Sequence, residues 1–298
     1  MFKNFDQLLD KAKSLPTKRL VVASAEEKKV LKAVQLAIKE GLVKPLLVGD
    51  GSQIKSICKK IGLSLEGVEV IDCPDQKESC IKAVKLVSSG QGDILLKGLV
   101  DTSTLLKAVL NKEYGLRTDR IVSHIAMVDA KKLGRIVFIS DGGMNIRPDL
   151  EQKIDITQNA IDVAHRLGWE EPKVAILAAI EKVNPQMVET IDAAVLAKMA
   201  DRRQITGGLI DGPLAIDNAL SKEAARIKQI DSPVAGVADI LIVPEIVAGN
   251  ILGKSCIYLA SNRIVALISG TSRPVVVTSR ANTAQIKLVS IAAAVLLS

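Results

Sequence analysis

The chain has 298 residues, which is room for two domains of ordinary size. Hydrophobic residues make up 48% of it but aromatic residues only 2%, so the core is aliphatic and the stacking platforms that single-stranded nucleic acid requires are scarce. A formal charge of +7 arises from 40 basic and 33 acidic residues spread along the chain without a basic run, which favours a small anionic partner over nucleic acid.

The N-terminal MFKNFDQLLDKAKSLP mixes acids and bases on an amphipathic pattern, with Phe2, Phe5, Leu8 and Leu9 on one side, and predicts a short surface helix rather than a signal peptide. Arg19 to Ser24 reads as a strand, and Ser24 with Glu27 forms a capping-box pattern ahead of a helix carrying Val30, Ala33, Val34 and Ala37. Lys44 to Gly49 is the next strand, with Asp50 as cap of a helix running to Ile61. Val68 to Cys73, a helix from Gln76 to Ser89 and Asp93 to Gly98 continue the alternation. A helix from Thr102 to about Lys112 precedes two adjacent strands, Ile121 to Val128 and Arg135 to Ile139. Such an order predicts βαβ units and a parallel sheet.

Ser140 to Lys153 (SDGGMNIRPDLEQK) is a polar stretch with Gly-Gly and Arg-Pro, and a domain crossover is expected there. Beyond it come a helix to Leu167, strand Lys173 to Ala179, helix Val188 to Arg202, strand Ile205 to Ile210 and a helix from Ile216 to Ile227. Three apolar runs follow, Ile240 to Val243, Ile264 to Ile268 and Val275 to Thr278. They read as buried parallel strands, each reaching a polar turn at its carboxyl end. Ala284 to Leu297 is a closing helix that returns to the first domain. The expected architecture is therefore α/β, with residues 1–139 and 280–298 in one lobe, 140–279 in the other, and a cleft between the lobes.

Cys58, Cys73, Cys80 and Cys256 form no CxxC pair, and the only histidines are His124 and His165. No metal site is expected, and the thiols read as small buried hydrophobes in a reducing cytoplasm. There is no apolar run of about 18 residues, so no membrane span or membrane partner is expected. GxGxxG and GxSxG are both absent, and adjacent Ser123 and His124 on one strand face opposite sides and so are not a nucleophile and its base. Ala248 to Ser255 (AGNILGKS) resembles a P-loop with Ala for its first Gly, but Ile251 and Leu252 occupy the interior where backbone amides must curl around phosphate.

In an open α/β sheet the ligand lies beyond the carboxyl ends of the strands. Glu245, Gly249, Asn250, Ser279, Arg280 and Asn282 fall at such ends, as do Lys97 with Thr102 and Asp211 with Asp217. The array holds cations and hydroxyl or amide donors without a covalent nucleophile, which suits transfer to or from phosphate by positioning and charge stabilisation. His124, near a strand end, is either a structural residue or a phosphate contact.

EKVNPQM (181–187), KMADRRQITGGLIDGPLAIDNAL (198–220), DILIVPEIVAGNILGK (239–254) and PVVVTSRAN (274–282), with SDGGMNIRPDL (140–150) and LRTDRIVSH (116–124), resemble the phosphate acetyl/butyryltransferase family, most of all its butyryltransferase branch. The resemblance implies two α/β lobes like those of isocitrate and isopropylmalate dehydrogenases. It implies reversible transfer of a short acyl group between CoA and inorganic phosphate through a ternary complex, with acyl phosphate as product, no tightly bound cofactor, and a homo-oligomer of at least two copies. Ser279 and Arg280 match the family's Ser-Arg pair, a hydroxyl donor and a phosphate-binding guanidinium, while for Ser279 a helix N-cap is the rival reading. Asn250, Glu245, Gly249, Asp211, Lys287 and His124 are the expected substrate-binding residues.

Two positions depart from the family. Ile286 stands where the acetyltransferase branch carries the carboxylate taken as thiol base, which leaves Lys287, Asp211 and Glu245 as candidates; Gly253 replaces a larger aromatic residue. Two other functions are compatible with the residues: a metal- and NAD-dependent 2-hydroxy acid dehydrogenase of the related fold, and ATP binding through Ala248 to Ser255.

Overall fold

A computed structural model describes residues 2–298. The chain packs as two compact units. A terminal unit comprises residues 5–120 and 265–298, and a central unit comprises residues 121–264 with the N-terminal residues up to Asn4.

The terminal unit holds α1 (Phe5–Lys13), β1 (Lys18–Ala23), α2 (Lys28–Lys39), β2 (Val43–Gly49), α3 (Gly51–Ile61), β3 (Glu69–Asp72), α4 (Gln76–Ser88), β4 (Ile94–Lys97) and α5 (Thr102–Val109). These are the elements the alternation predicts. Its sheet runs in the order β3-β2-β1-β4, continued by β11 (Val275–Val276) and then β10 (Arg263–Ser269). β1, β2, β3, β4 and β11 are parallel, so their carboxyl ends share one edge. β10 runs antiparallel to β11, against the expectation of three parallel strands. The reason is length: the turn through Gly270, at φ +79°, is far too short for the dozen or more residues that a parallel crossover needs. α11 (Ala284–Leu297) packs on α1 and α2 with ten of its fourteen residues buried, as its Ala/Leu-rich sequence requires.

The central unit contains β5 (Ser123–Ala130), β6 (Arg135–Ser140), α6 (Leu150–Arg166), β7 (Lys173–Leu177), α7 (Val188–Asp201), β8 (Leu209–Leu214), α8 (Ile216–Leu220), α9 (Lys222–Ile227), β9 (Ile240–Ile242) and α10 (Ile246–Tyr258). Its strands follow the order β5-β6-β9-β7-β8, with β5 and β6 an antiparallel hairpin and the rest parallel. Val128, Val137, Ile139, Ala175, Leu214, Leu241 and Val243 form an aliphatic core. β8 begins four residues later than Ile205, because Gly207 at φ +88° keeps the chain in a turn. The single helix expected over 216–227 breaks at Ser221, whose hydroxyl caps α9.

Two local readings are corrected. Ser24 and Glu27 form no capping box: Ser24 sits at φ +50° with its hydroxyl buried and unpartnered, and Glu27 is the N-cap of α2 but makes no side-chain capping bond. Ala248 to Ser255 lies wholly within α10, so its amides are committed to helix hydrogen bonds and it forms no phosphate loop. No helix among the described residues is long and apolar enough to cross a membrane.

Candidate active site

The carboxyl edge of the terminal sheet gathers the turns after β1, β4 and β11, which are adjacent strands. Ser279 and Arg280 lie in the last of these. Ser279 is not a helix cap, since Thr283 caps α11 through Ile286 N. Instead the Ser279 amide donates to Asn282 Oδ1 at 2.8 Å and its hydroxyl accepts from Ala281 N at 3.2 Å, a tight polar turn that leaves the hydroxyl proton available. The Arg280 guanidinium, 65% exposed, meets Asp101 Oδ1 at 2.8 Å. Asp101 is the N-cap of α5 yet makes no capping bond, so its carboxylate is held on Arg280 instead. An ion pair this exposed is weak.

Beneath this turn are two buried lysines. Lys287, 1% exposed, donates to Thr278 Oγ1 at 2.7 Å and to Ser279 O at 3.2 Å, tying α11 to the Ser-Arg turn. Lys97, 4% exposed, donates to Val100 O at 2.8 Å and fixes the turn after β4. Burial lowers the pKa of both ammonium groups. For Lys287 the nearby Glu27 opposes this, while Lys97 and Lys29 add to it. Lys29 also donates to Arg280 O at 3.0 Å. Glu27, from the turn after β1, and Lys97 and Asp101, from the end of β4 and the turn after it, are thus brought to the Ser-Arg turn.

In the central unit the expected site residues divide. Asp141 organises the Gly-Gly stretch, accepting from Gly143 N and Met144 N at 2.8 Å each, from Asn145 Nδ2 at 2.7 Å and from His124 N at 3.1 Å. His124 has its Nδ1 buried without a partner, and a Cβ on Gly143 would lie 2.8 Å from the imidazole, so this loop is folded against the ring. Burial lowers the His124 pKa, against the pull of Asp141. Gly249 and Asn250 form the backing of the same loop. A Cβ on Gly249 would stand 2.7 Å from Gly142 Cα, and Asn250 Nδ2 donates to Gly142 O at 3.3 Å. The close approach that Gly249 permits is therefore filled by protein.

Glu245 lies apart from that loop, opposite Arg147 at 3.5 Å, in an open hollow of about 540 Å³ that is also lined by Asp149, Lys153, Glu189 and Asp192. Within the hollow, buried Lys153 is spent on Asp192 at 2.6 Å. Asp211, in β8, borders a different and shallower hollow with Asp201 and Asp231 and accepts from Gly212 N, while Asp217 pairs with Lys228. Gly253 on α10 has open space where a side chain would be. Among the described residues no three of His, Cys, Asp and Glu gather into a group that could hold a metal ion.

Sequence reasoning missed Glu27 and Asp141. A legible signal existed for the first: an acid at the N-cap of a helix that directly follows the carboxyl end of a strand. Its coupling to Lys287, about 260 positions away, was not legible.

Comparison with known proteins agrees with the motifs. A family described as "Phosphate acetyl/butaryl transferase" matches residues 4–82 and 74–295. The phosphate butyryltransferase of Clostridium beijerinckii is 47% identical over 298 residues, spanning 100% of this chain and 99% of that protein. The phosphate acetyltransferase of Thermotoga maritima is 43% identical over 275 residues, covering 92% and 93%. The crystal structure of a branched-chain phosphotransacylase from Enterococcus faecalis V583 superposes with a TM-score of 0.85 at 33% identity, covering 94% of this chain and 99% of that one. With motifs, full-length identity and fold in agreement, the chain belongs to the phosphate acetyl/butyryl transferase family.

Proposed function

We propose that the chain catalyses reversible transfer of a short acyl group, with butyryl preferred over acetyl, between CoA and inorganic phosphate, giving acyl phosphate and CoA. The reaction class follows from family membership and from relatives that are phosphate acyltransferases over their whole length. The observation that carries the local chemistry is the Ser279–Arg280 turn, held by buried Lys287 at the edge where parallel strands present ligands.

In this reading phosphate displaces Asp101 from Arg280, whose planar fork binds two phosphate oxygens at once. Buried Lys97 and Lys287 supply fixed positive potential below, without spending their amines on the ligand. The Ser279 hydroxyl donates to the oxygen that becomes negative as the carbonyl turns tetrahedral. CoA is a substrate, and no tightly bound cofactor is invoked. Of the remaining candidates, we assign Gly249, Asn250 and His124 to shaping the Gly142–Gly143 loop, and Glu245 with Arg147 to the hollow in the central unit.

We read the two units as the lobes of an isocitrate/isopropylmalate dehydrogenase-like fold, the enzyme as cytoplasmic, with four free thiols suited to a reducing compartment, and the assembly as a homo-oligomer. Exposed Val247, Ile251, Tyr258 and Leu259 in and just after α10 support the last point, since a lone soluble chain seldom leaves such a row uncovered.

The test is release of free CoA thiol from butyryl-CoA, run beside acetyl-CoA and with phosphate omitted. Phosphate-dependent release with butyryl ahead is expected. Acetyl ahead would keep the reaction and reverse the preference, and no release from either would sink the reading.

A further inference from the structure

Transfer of an acyl group to CoA needs an acceptor for the thiol proton, and the position where one is expected holds Ile286. The carboxylates near the Ser-Arg turn differ in how they are occupied. Asp101 is paired with Arg280 and is 76% exposed, so once phosphate displaces it the carboxylate returns to open water. Glu26 is buried and turned toward Gly49, filling the space a side chain there would need. Glu27 is neither. It is the N-cap of α2, and, being longer than the Asp or Ser that fill that role, it makes no capping bond, which leaves its carboxylate uncommitted to the helix. Its side chain is 15% exposed, and its carboxylate faces Lys287 Nζ at 4.0 Å, the ammonium that also grips Ser279 O.

Three observations therefore coincide: a carboxylate that makes no capping bond, partial access to solvent, and connection through one lysine to the serine turn. Lys287 itself, at 1% exposure with two protein acceptors, has no face left for a ligand. We infer that Glu27 is the general base for the CoA thiol, a role that rests on the acyltransferase reading.

In the direction of acyl-CoA formation, the S–H bond of CoA breaks and its proton passes to a Glu27 carboxylate oxygen. The sulfur electron pair bonds to the carbonyl carbon of acyl phosphate. As the tetrahedral centre collapses, the bond between that carbon and the phosphate oxygen breaks, and phosphate leaves with the electron pair. In reverse, protonated Glu27 returns its proton to the departing thiolate. The charged groups around Glu27 are Lys287 from α11, Lys97 from β4 and Lys29 from its own helix, with Arg280 and Asp101 beyond them. The cations assist the nascent thiolate.

The experiment is kcat and KM across pH for the full chain and for Glu27→Gln, Glu27→Asp and Lys287→Met, with thermal midpoints measured alongside. Glu27→Gln is expected to lose about 10²- to 10⁴-fold in kcat at neutral pH. The loss should shrink as pH climbs toward ionisation of the free thiol, near 8.5 for a cysteine-like thiol, where no base is needed. Glu27→Asp, which keeps a carboxylate, should retain the acid-side limb of the wild-type profile. Lys287→Met, which loosens the turn but spares the base, should raise KM and keep that limb too. The inference is overturned if Glu27→Gln stays within about threefold of wild type, a difference below 1 kcal/mol. It is also overturned if both Glu27 variants lose activity with an unchanged pH profile, or if Lys287→Met reproduces the Glu27→Gln profile, since Glu27 then only positions the lysine. A wild-type chain that releases no thiol from either acyl-CoA fails the acyltransferase reading itself, a result distinguishable from all of these.

Discussion

The turn after β9 and the turn after β11 look alike in sequence, each an apolar strand followed by a polar motif with Asn and either Gly or Arg. Their structures differ in what the polar groups do. After β9, Gly249 and Asn250 enter the first turns of α10 and are consumed by protein: the glycine admits Gly142 and the asparagine donates to its carbonyl. After β11 the chain stays in an irregular turn until Thr283, and the Arg280 fork, 65% exposed, is tied to a carboxylate that is itself 76% exposed. A strand end thus marks where a ligand can be met, and the residual bonding capacity of its side chains marks which end is used.

Substitution at the open turn should act on catalysis and substitution at the filled one on stability. Arg280→Ala is expected to have the largest effect, a fall of about 10²- to 10³-fold in kcat/KM for a lost fixed charge, with Arg280→Lys recovering only part because an ammonium cannot fork. Phosphate-dependence of initial rates checks this, and an unaltered rate would erase the contrast. Gly249→Ala should instead lower stability by about 1–3 kcal/mol, because its methyl meets the backbone of Asp141 and Gly142 as well as the buried, β-branched Val243 side chain. Chemical denaturation measures that cost, and a neutral result would mean the loop is free to move.

Lys287 sharpens the comparison through pH. Its pKa is lowered by burial, so between that lowered value and the ordinary lysine value, about 10.4, the unfolded chain binds the extra proton. Stability therefore rises with pH across that window, the penalty being fully present below the folded pKa and relieved at the alkaline end. Lys97 acts in the same direction. In Lys287→Met the alkaline rise in denaturation midpoint should be shallower than in wild type, and an identical slope would show that Lys287 is not desolvated. The smallest effect is expected from Asp211→Asn, whose carboxylate borders a shallow hollow of the central unit and accepts from Gly212 N. Turnover should stay within about twofold, the range of an ordinary surface change, and a larger loss would return Asp211 to the site.

Much of the fold was legible because local signals agreed. α3 was readable from Asp50, whose carboxylate accepts from Ser52 and Gln53 and is held at a pKa of about 2, and α11 from an Ala/Leu run that only burial explains. The β10 direction was missed by reading strand apolarity without loop length, although five residues between Ser269 and Val275 already forbid a parallel return. Ser24 and Glu27 had the spacing of a capping box, but Ser24 takes a left-handed backbone and α2 begins later, with Glu27 itself as N-cap, so the Ser24 hydroxyl is buried without a partner. The P-loop likeness dissolved for a related reason: a glycine-bearing string curls around phosphate only if its amides are free, and those of α10 are bonded along the helix.

Sequence alone determined the alternation of elements, the aliphatic core and the family, since each rests on periodicity or on ordered motifs that need no knowledge of distant neighbours. Tertiary structure decided which polar residues keep unspent bonding capacity. Gly249 and Asn250 face the Gly142 backbone, Lys287 is sealed against Thr278 and Ser279, and Glu27 stays uncapped beside it. Those outcomes depend on groups from elements remote in the chain competing for the same donors and the same space, which pairwise spacing along a sequence does not encode.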